Sequence, residues 1–361
     1  MVAGPVNLGA SFGRNFKAGK TQAWNFSVEH QLSNTMALRV AYVGSESYHQ
    51  SYVQDDNFAG YSYCTSFTSA LCPIPQLAPA PVAPYSAFSD ILEYDSGATS
   101  SYHSLQATFQ QHMWHGLQAQ SSFTWQKTMD VANGANIAAS QSGIDNPMNL
   151  SYSRGVSGSS IPFSWTSNFI YRSPELKGKS LLVREVLGSW QVSPIITWQS
   201  GAPFSINGGN SNIYTVQING KAVSEPNRGS GCLQACSSDR ADRVPGEPLK
   251  VRQGGRAAWE KEYFNPAAFT VRHDGTFGNS GRNLIYGPPG FNVDSSLSKN
   301  WSILERYQLQ FRFEFFNAFN HPIMSNPDNT AGDSTFGQIN GGTGSTSNTT
   351  RVGQAALKLT F

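Results

Sequence analysis

The stretch from Gly275 to Gly281 comes nearest to a phosphate cradle, because closely spaced glycines let backbone N–H groups approach an anion. It lacks the Lys-Ser/Thr ending of a P-loop and a clean strand-to-helix setting, so it reads as a turn-rich loop. His30, His103, His112 and His115 are scattered, without His-Glu-x-x-His or comparable spacing, and read as lumen or interface residues. Asp55, Asp56, Asp328 and Asp333 lack the spacing of an EF-hand loop and read as solvated carboxylates. No Gly-x-Ser-x-Gly elbow offers an activated nucleophile in a strand-to-helix context. The sequence therefore nominates no catalytic residue, no cofactor-binding residue, no metal ligand and no cofactor, and predicts a protein that is not an enzyme.

Four cysteines fall in two local pairs, Cys64 with Cys72 and Cys232 with Cys236. Even, local pairing suits loop disulfides in an oxidising compartment. Zinc is a rival, but a second pair of Cys or His at ligand spacing is missing, and free thiols are the remaining alternative. Glu29, Arg39, Arg312 and Glu314 share one register of their segments. They either line a ligand path or pair with each other or with a plug, and pairing is the favoured reading.

What positions these residues is set by composition and period. Charged residues make up 13% of the 361, against roughly 25% in an average soluble domain. Aromatics reach 12%, which suits a lipid boundary better than water. The net charge of +2 gives no basic field for a nucleic-acid partner. No run of apolar residues is long enough for a transmembrane helix. No secretory signal is visible at Met1, so on this reading the true start lies upstream.

Period-two alternation dominates the chain. Trp24, Phe26, Val28 and Leu32 oppose Asn25, Ser27, Glu29 and Gln31; Met36, Leu38, Val40 and Tyr42 oppose Ala37, Arg39 and Ala41. Further segments centre on Leu105–Phe109, Leu117–Trp125, Phe163–Tyr171, Trp190–Trp198, Phe291–Leu297, Leu309–Phe315 and Ala355–Phe361. The charges Glu29, Arg39, Arg172, Asp294, Arg312, Glu314 and Lys358 all fall in the polar register. An arginine or lysine facing lipid at mid-bilayer costs roughly 2–4 kcal/mol, which is pressure enough to empty the other face of charge. Several segments approach the nine to eleven residues of a tilted membrane-crossing strand. Trp24, Trp125, Trp190, Trp198 and Trp301 fall near segment ends, as interfacial girdles require.

Connections alternate in length. Short ones are expected at 33–35, 111–116 and 302–306 and a moderate one at 173–188, with long ones at 45–100, 131–161, 200–289 and 320–350. That is the pattern of periplasmic turns and extracellular loops. The long loops are rich in Pro, Gly and Ser, as at Pro73 to Pro84 and Gly341 to Asn348, and are expected to be mobile. Nine strands is odd where bacterial barrels are even, so either one strand hides within 200–289 or the chain is truncated.

Several stretches resemble a family. Tyr102-His103-Ser104-Leu105-Gln106-Ala107-Thr108, Gly116-Leu117-Gln118-Ala119-Gln120 and Phe123-Thr124-Trp125-Gln126-Lys127-Thr128-Met129-Asp130 open the set. Trp198-Gln199-Ser200-Gly201-Ala202-Pro203-Phe204, Tyr263-Phe264-Asn265-Pro266-Ala267-Ala268-Phe269 and Phe277-Gly278-Asn279-Ser280-Gly281-Arg282-Asn283 follow, running into Gly287-Pro288. Asn292-Val293-Asp294, Ser298-Lys299-Asn300 and Arg312-Phe313-Glu314-Phe315-Phe316-Asn317-Ala318-Phe319-Asn320-His321-Pro322 complete it. In this order the chain resembles TonB-dependent outer-membrane receptors of the Oar-like type, which carry a carboxypeptidase-regulatory-like domain.

The resemblance implies that residues 1–361 are the C-terminal part of a receptor barrel domain, with plug, TonB box and signal peptide absent. The expected fold is all-β, an antiparallel outer-membrane β-barrel portion of about 9–10 long strands, located in the cell outer membrane. Implied partners are outer-membrane lipid, the barrel-assembly machinery through the strand ending at Phe361, and a plug and TonB-type energy-coupling system in a full-length form. Two alternatives stand beside a receptor or transporter: a structural or adhesive surface barrel, and a secreted soluble β-rich binding domain.

Overall fold

The computed structural model describes residues 6–55, 88–132, 144, 149–208, 214–218, 221–225, 240–251, 256–271, 278–303, 307–339 and 350–361. The four cysteines, Pro73 to Pro84 and Gly341 to Asn348 lie outside these residues, so the disulfide expectation and the mobility of those two stretches do too.

Nine long strands form one continuous antiparallel meander: β1 (Lys20–Ser33), β2 (Met36–Asp55), β3 (Phe88–Trp114), β4 (Leu117–Asp130), β5 (Phe163–Arg172), β6 (Trp190–Gln199), β7 (Gly290–Ile303), β8 (Tyr307–Phe316) and β9 (Val352–Thr360). Each pairs with its neighbours in chain order, and these are the nine segments that alternation picks out. Among the described residues no pairing joins β1 to β9, so the sheet is open along both edges. The segment Val6–Phe12 adds to β3 in parallel, and Gly155–Val156 adds to the end of β4. Among the described residues no further barrel strand lies within 200–289; its strands are short and form small separate sheets, such as the hairpin of Tyr214–Ile218 with Lys221–Glu225.

Register carries the alternation across the whole sheet. Val28 sits opposite Val40, Val40 opposite Ala107, Ala107 opposite Phe123, Phe123 opposite Trp165, Trp165 opposite Trp198 and Trp198 opposite Phe291. The same holds one residue away: Glu29, Arg39, Thr108, Ser122, Thr166, Thr197 and Asn292 form an unbroken polar row. On β8 the pairs Leu309–Leu359, Phe311–Leu357 and Phe313–Ala355 fall on the apolar face, whereas Gln310–Lys358 and Glu314–Gln354 fall on the polar one. A single-residue slip would exchange the two faces, so one-sided chemistry fixes the register.

Among the described residues the apolar face is left largely uncovered. Phe26 is 70% exposed and Leu357 is 68% exposed, and Trp125, Val28 and Leu359 are more than half exposed. A sandwich would bury this face beneath a second sheet about 10 Å away. Among the described residues the conventional core lies elsewhere, in a cluster of Phe204, Ile206, Ala241, Phe264, Ala268, Phe269 and Ala331 drawn from the connections.

The two ends of the sheet differ. At one end the links β1–β2 and β3–β4 are tight turns at Asn34–Thr35 and His115–Gly116, the latter with both residues at positive φ. An added Cβ at Gly116 would stand 2.3 Å from the Arg172 carbonyl oxygen, so the turn needs glycine for space as well as conformation. At the other end β2 and β3 run much further than expected, to 20 and 27 residues, so much of the supposed 45–100 loop is strand. These extensions survive because Tyr52, Ala98, Val131 and Ile144 bury one another there. The 200–289 and 320–350 connections, expected to be mobile, contribute the main core and are folded wherever they are described.

Candidate functional site

The folded connections form a module on the long-loop end, and its construction explains most of the recognisable sequence stretches. In Tyr263–Phe269, Phe264 is buried against the rings of Phe204, Phe269 and Phe336, with centroids 6.1, 5.8 and 5.1 Å away. Asn265 caps the short turn beneath it by accepting from the Ala267 amide, and its own amide donates to the Pro248 carbonyl. Pro203–Phe204 pairs with Ile285–Tyr286, and the strands approach so closely that a Cβ on Gly201 would lie 2.0 Å from the Gly287 carbonyl oxygen.

The glycine-rich stretch holds no phosphate geometry in its described part; it is a clamp. A Cβ on Gly278 would overlap the Arg240 carbonyl, and the Ser280 amide donates to the Ala241 carbonyl. Arg282 reaches Asp130, at the end of β4, with Nη1 2.6 Å from a carboxylate oxygen, and also donates to the carbonyls of Asp130 and Ser153. Asn283 donates to the Val156 carbonyl, while Arg240 stacks over the Tyr152 ring at 3.9 Å and donates to the Tyr152 carbonyl. Two connections far apart in sequence, 131–161 and 200–289, are thereby bound to one another and to the rim of the sheet.

Between module and rim opens a cleft of about 590 Å³, within the range of small-molecule sites. Its lining includes Phe163, Trp259, Tyr263 and Tyr286, with Lys250 as a cationic residue. The Tyr263 hydroxyl donates to the Tyr286 carbonyl, and burial pushes its pKa up to about 12. Burial raises Tyr286 as well. Aromatic faces beside a cation suit a compact ligand with a flat or apolar body and an anionic group.

The residues singled out by sequence are divided. Arg312 and Glu314 pair with each other at 3.1 Å on the polar face, and Gln354 donates to Glu314. Glu29 stands directly opposite Arg39 on the same face. None of the four lines the cleft. His103 shares a hydrogen bond of 2.8 Å with the Tyr42 hydroxyl on the apolar face near its edge, in the same row as Trp24. His112 and His115 lie at the tight-turn end. Asp328 organises a module turn by accepting from Thr330 and Thr335.

Sequence reasoning missed Trp259, Tyr263, Arg240 and Arg282, whose roles depend on contacts between connections. It also missed Lys299, which stands opposite Phe311 and Trp190 in the apolar register.

A family model described as an outer membrane beta barrel domain matches residues 3–354. No curated protein matches the chain. Among solved structures, the outer membrane transporter YddB from Escherichia coli is similar at 12% identity and a TM-score of 0.45, covering 99% of this chain and 34% of that one. The FrpB iron transporter from Neisseria meningitidis is similar at 10% identity and a TM-score of 0.40, covering 97% of this chain and 33% of that one. The chain thus spans about a third of the length of these two structures.

Proposed function

The chain belongs to the outer membrane beta barrel domain family, and from that premise we propose that it is part of a ligand receptor and transporter of the TonB-dependent, Oar-like type. Its apolar face meets outer-membrane lipid and its polar face lines the lumen. The tight turns then mark the periplasmic rim and the module marks the extracellular one. The observation that carries the reading is an aromatic cleft at the long-loop end of a sheet whose one face is a continuous polar wall.

The open sheet supports a division of labour. Unpaired edges are not tolerated in lipid, so further strands of a longer polypeptide complete the barrel. On this reading residues 1–361 are its C-terminal barrel portion, and a plug carried elsewhere in that polypeptide couples to a TonB-type system. Barrel-assembly machinery reads the strand that ends at Phe361. Chemistry on the ligand is no part of the proposal, and it involves no cofactor or nucleic acid.

A growth comparison tests it. A strain lacking this chain and a strain lacking its energy-coupling system are grown on scarce iron chelates, cobalamin and oligosaccharides. Transport of the proposed kind requires that every nutrient defect of the first strain recur in the second. A nutrient defect confined to the first strain, or surface adhesion lost with no nutrient defect at all, contradicts it and favours a structural or adhesive barrel.

A further inference from the structure

Lys299 is a charge that breaks the two-face rule. It occupies the lipid-facing register of β7, yet it is only 2% exposed. Its ammonium donates to the Gly188 carbonyl and lies 5.7 Å from the Trp190 ring centre and 5.5 Å from that of Trp301. The Trp190 indole donates to the Val186 carbonyl at 2.8 Å and the Trp301 indole to the Glu185 carbonyl at 3.0 Å. All three acceptors belong to the C-terminal end of one short helix, Leu181–Leu187, and its cap residue.

The last carbonyls of a helix have no partner within it, and the macrodipole favours a cation there. Lys299 and two indoles satisfy that end from the outer wall of the barrel. The helix is therefore fastened to the lipid-facing side of the periplasmic rim.

Among the described residues nothing covers its remaining surface. At 3.6 residues per turn, Leu182, Val183, Val186 and Leu187 share one side, while Arg184 and Glu185 share the other. Leu182 is 75% exposed, and Leu187 and Val186 are more than half exposed. This apolar side continues the outward belt formed by Trp190, Trp301, Phe311 and Leu309. The linker around it, residues 173–188, carries Lys177, Lys179 and Arg184 against Glu175 and Glu185, a positive surplus of one.

We propose that Leu181–Leu187 is an in-plane membrane anchor: it seats its leucine and valine side in the periplasmic-leaflet phospholipid, with its basic flank at anionic headgroups. Lys299 is the positioning residue, holding the helix against the barrel wall at headgroup depth. The occupant is lipid, because the exposed side adjoins a surface that lipid already covers.

The test uses the full-length polypeptide, with the strands that complete its barrel, in nanodiscs of phosphatidylethanolamine and phosphatidylglycerol, where both rims are open. With the four cysteines changed to serine, single spin labels are placed at Leu182, Leu187, Phe311 and Lys177. The anchor predicts that Leu182 and Leu187 resemble Phe311, relaxed by oxygen more than by a soluble nickel chelate, while Lys177 shows the reverse. Lys299→Met should narrow the spectrum at 187 and leave 311 unchanged. A nickel preference at 182 and 187 with an oxygen preference at 311 overturns the anchor and leaves the barrel standing; a nickel preference at 311 as well overturns both.

The wild-type chain gives a second readout if the labelled variants do not fold. Trypsin should cleave after Lys179 and spare Arg184 in nanodiscs, and cleave at Arg184 once Lys299→Met frees the helix. Rapid cleavage at Arg184 in the wild-type chain contradicts the proposal.

Discussion

Arg282→Leu should unlock the module of folded connections while leaving the sheet intact. Arg282 and Asp130 meet at 2.6 Å with side chains only 8% and 12% exposed, so this pair is a buried one rather than a screened surface contact. Removing one partner of such a pair leaves an uncompensated buried charge and costs about 3–5 kcal/mol. Arg282 also donates to the carbonyls of Asp130 and Ser153, and leucine satisfies neither. At 1.4 kcal/mol per factor of ten, local opening should increase by roughly 10²- to 10⁴-fold. Amide hydrogen exchange reads this directly: protection should fall across 153–157 and 280–286 and hold in Trp190–Gln199. Replacing both partners with leucine removes the stranded charge, so the double variant should recover most of the protection. A loss smaller than tenfold in Arg282→Leu, or a double variant no better than the single, would refute the clamp.

Three further outcomes follow from the same geometry. Phe264→Ala empties the centre of the module core and should cost it about 3–5 kcal/mol, seen as proteolysis within 240–289 while heat-modifiable gel migration persists; a protease-resistant variant contradicts the core assignment. Tyr263 keeps its proton to about 12 in the folded module against an ordinary 10.0, so its contribution is complete below pH 10 and is lost as pH rises toward 12; Trp259 fluorescence should report that alkaline loosening, and Tyr263→Phe should remove the Tyr263 part of it. Deleting residues 353–361 strips from β8 the partner that pairs from Gln308↔Thr360 to Phe315↔Gly353, and should reduce outer-membrane yield; an unchanged yield would count against a role for the last strand in insertion.

The sheet was legible because a strand between lipid and water repeats every two residues, and each strand carries that signal by itself. Leu309, Phe311 and Phe313 against Gln310, Arg312 and Glu314 need no partner to be read. The module was not legible, since Phe204, Phe264, Phe269 and Phe336 come from separate Pro- and Gly-rich stretches with no shared period and acquire meaning only when packed together. The quoted stretches around Tyr263, Gly278 and Asn317 signalled a family, but their work is structural: they supply close backbone approaches and caps. Asn317, at φ 48°, accepts from His321 and takes its own amide bond to Asp294, a turn no spacing rule announces. The upper halves of β2 and β3 were hidden because serine-rich strand above a membrane lacks strong alternation. Lys299 was hidden for the opposite reason: alternation assigned it to lipid, and only the helix end that it caps makes that position tolerable.

The two-faced barrel wall is tested most directly on β8. Single spin labels at Gln310, Phe311, Arg312 and Phe313, in chains whose four cysteines are changed to serine, are compared in lipid for access to oxygen and to a water-soluble nickel chelate. The register places Phe311 and Phe313 with Leu357 and Ala355 on the lipid side, and Gln310 and Arg312 with Lys358 and Ala356 on the lumen side. Oxygen should therefore dominate at 311 and 313, and the nickel chelate at 310 and 312. Four labels that respond alike, or the opposite parity, would contradict the account.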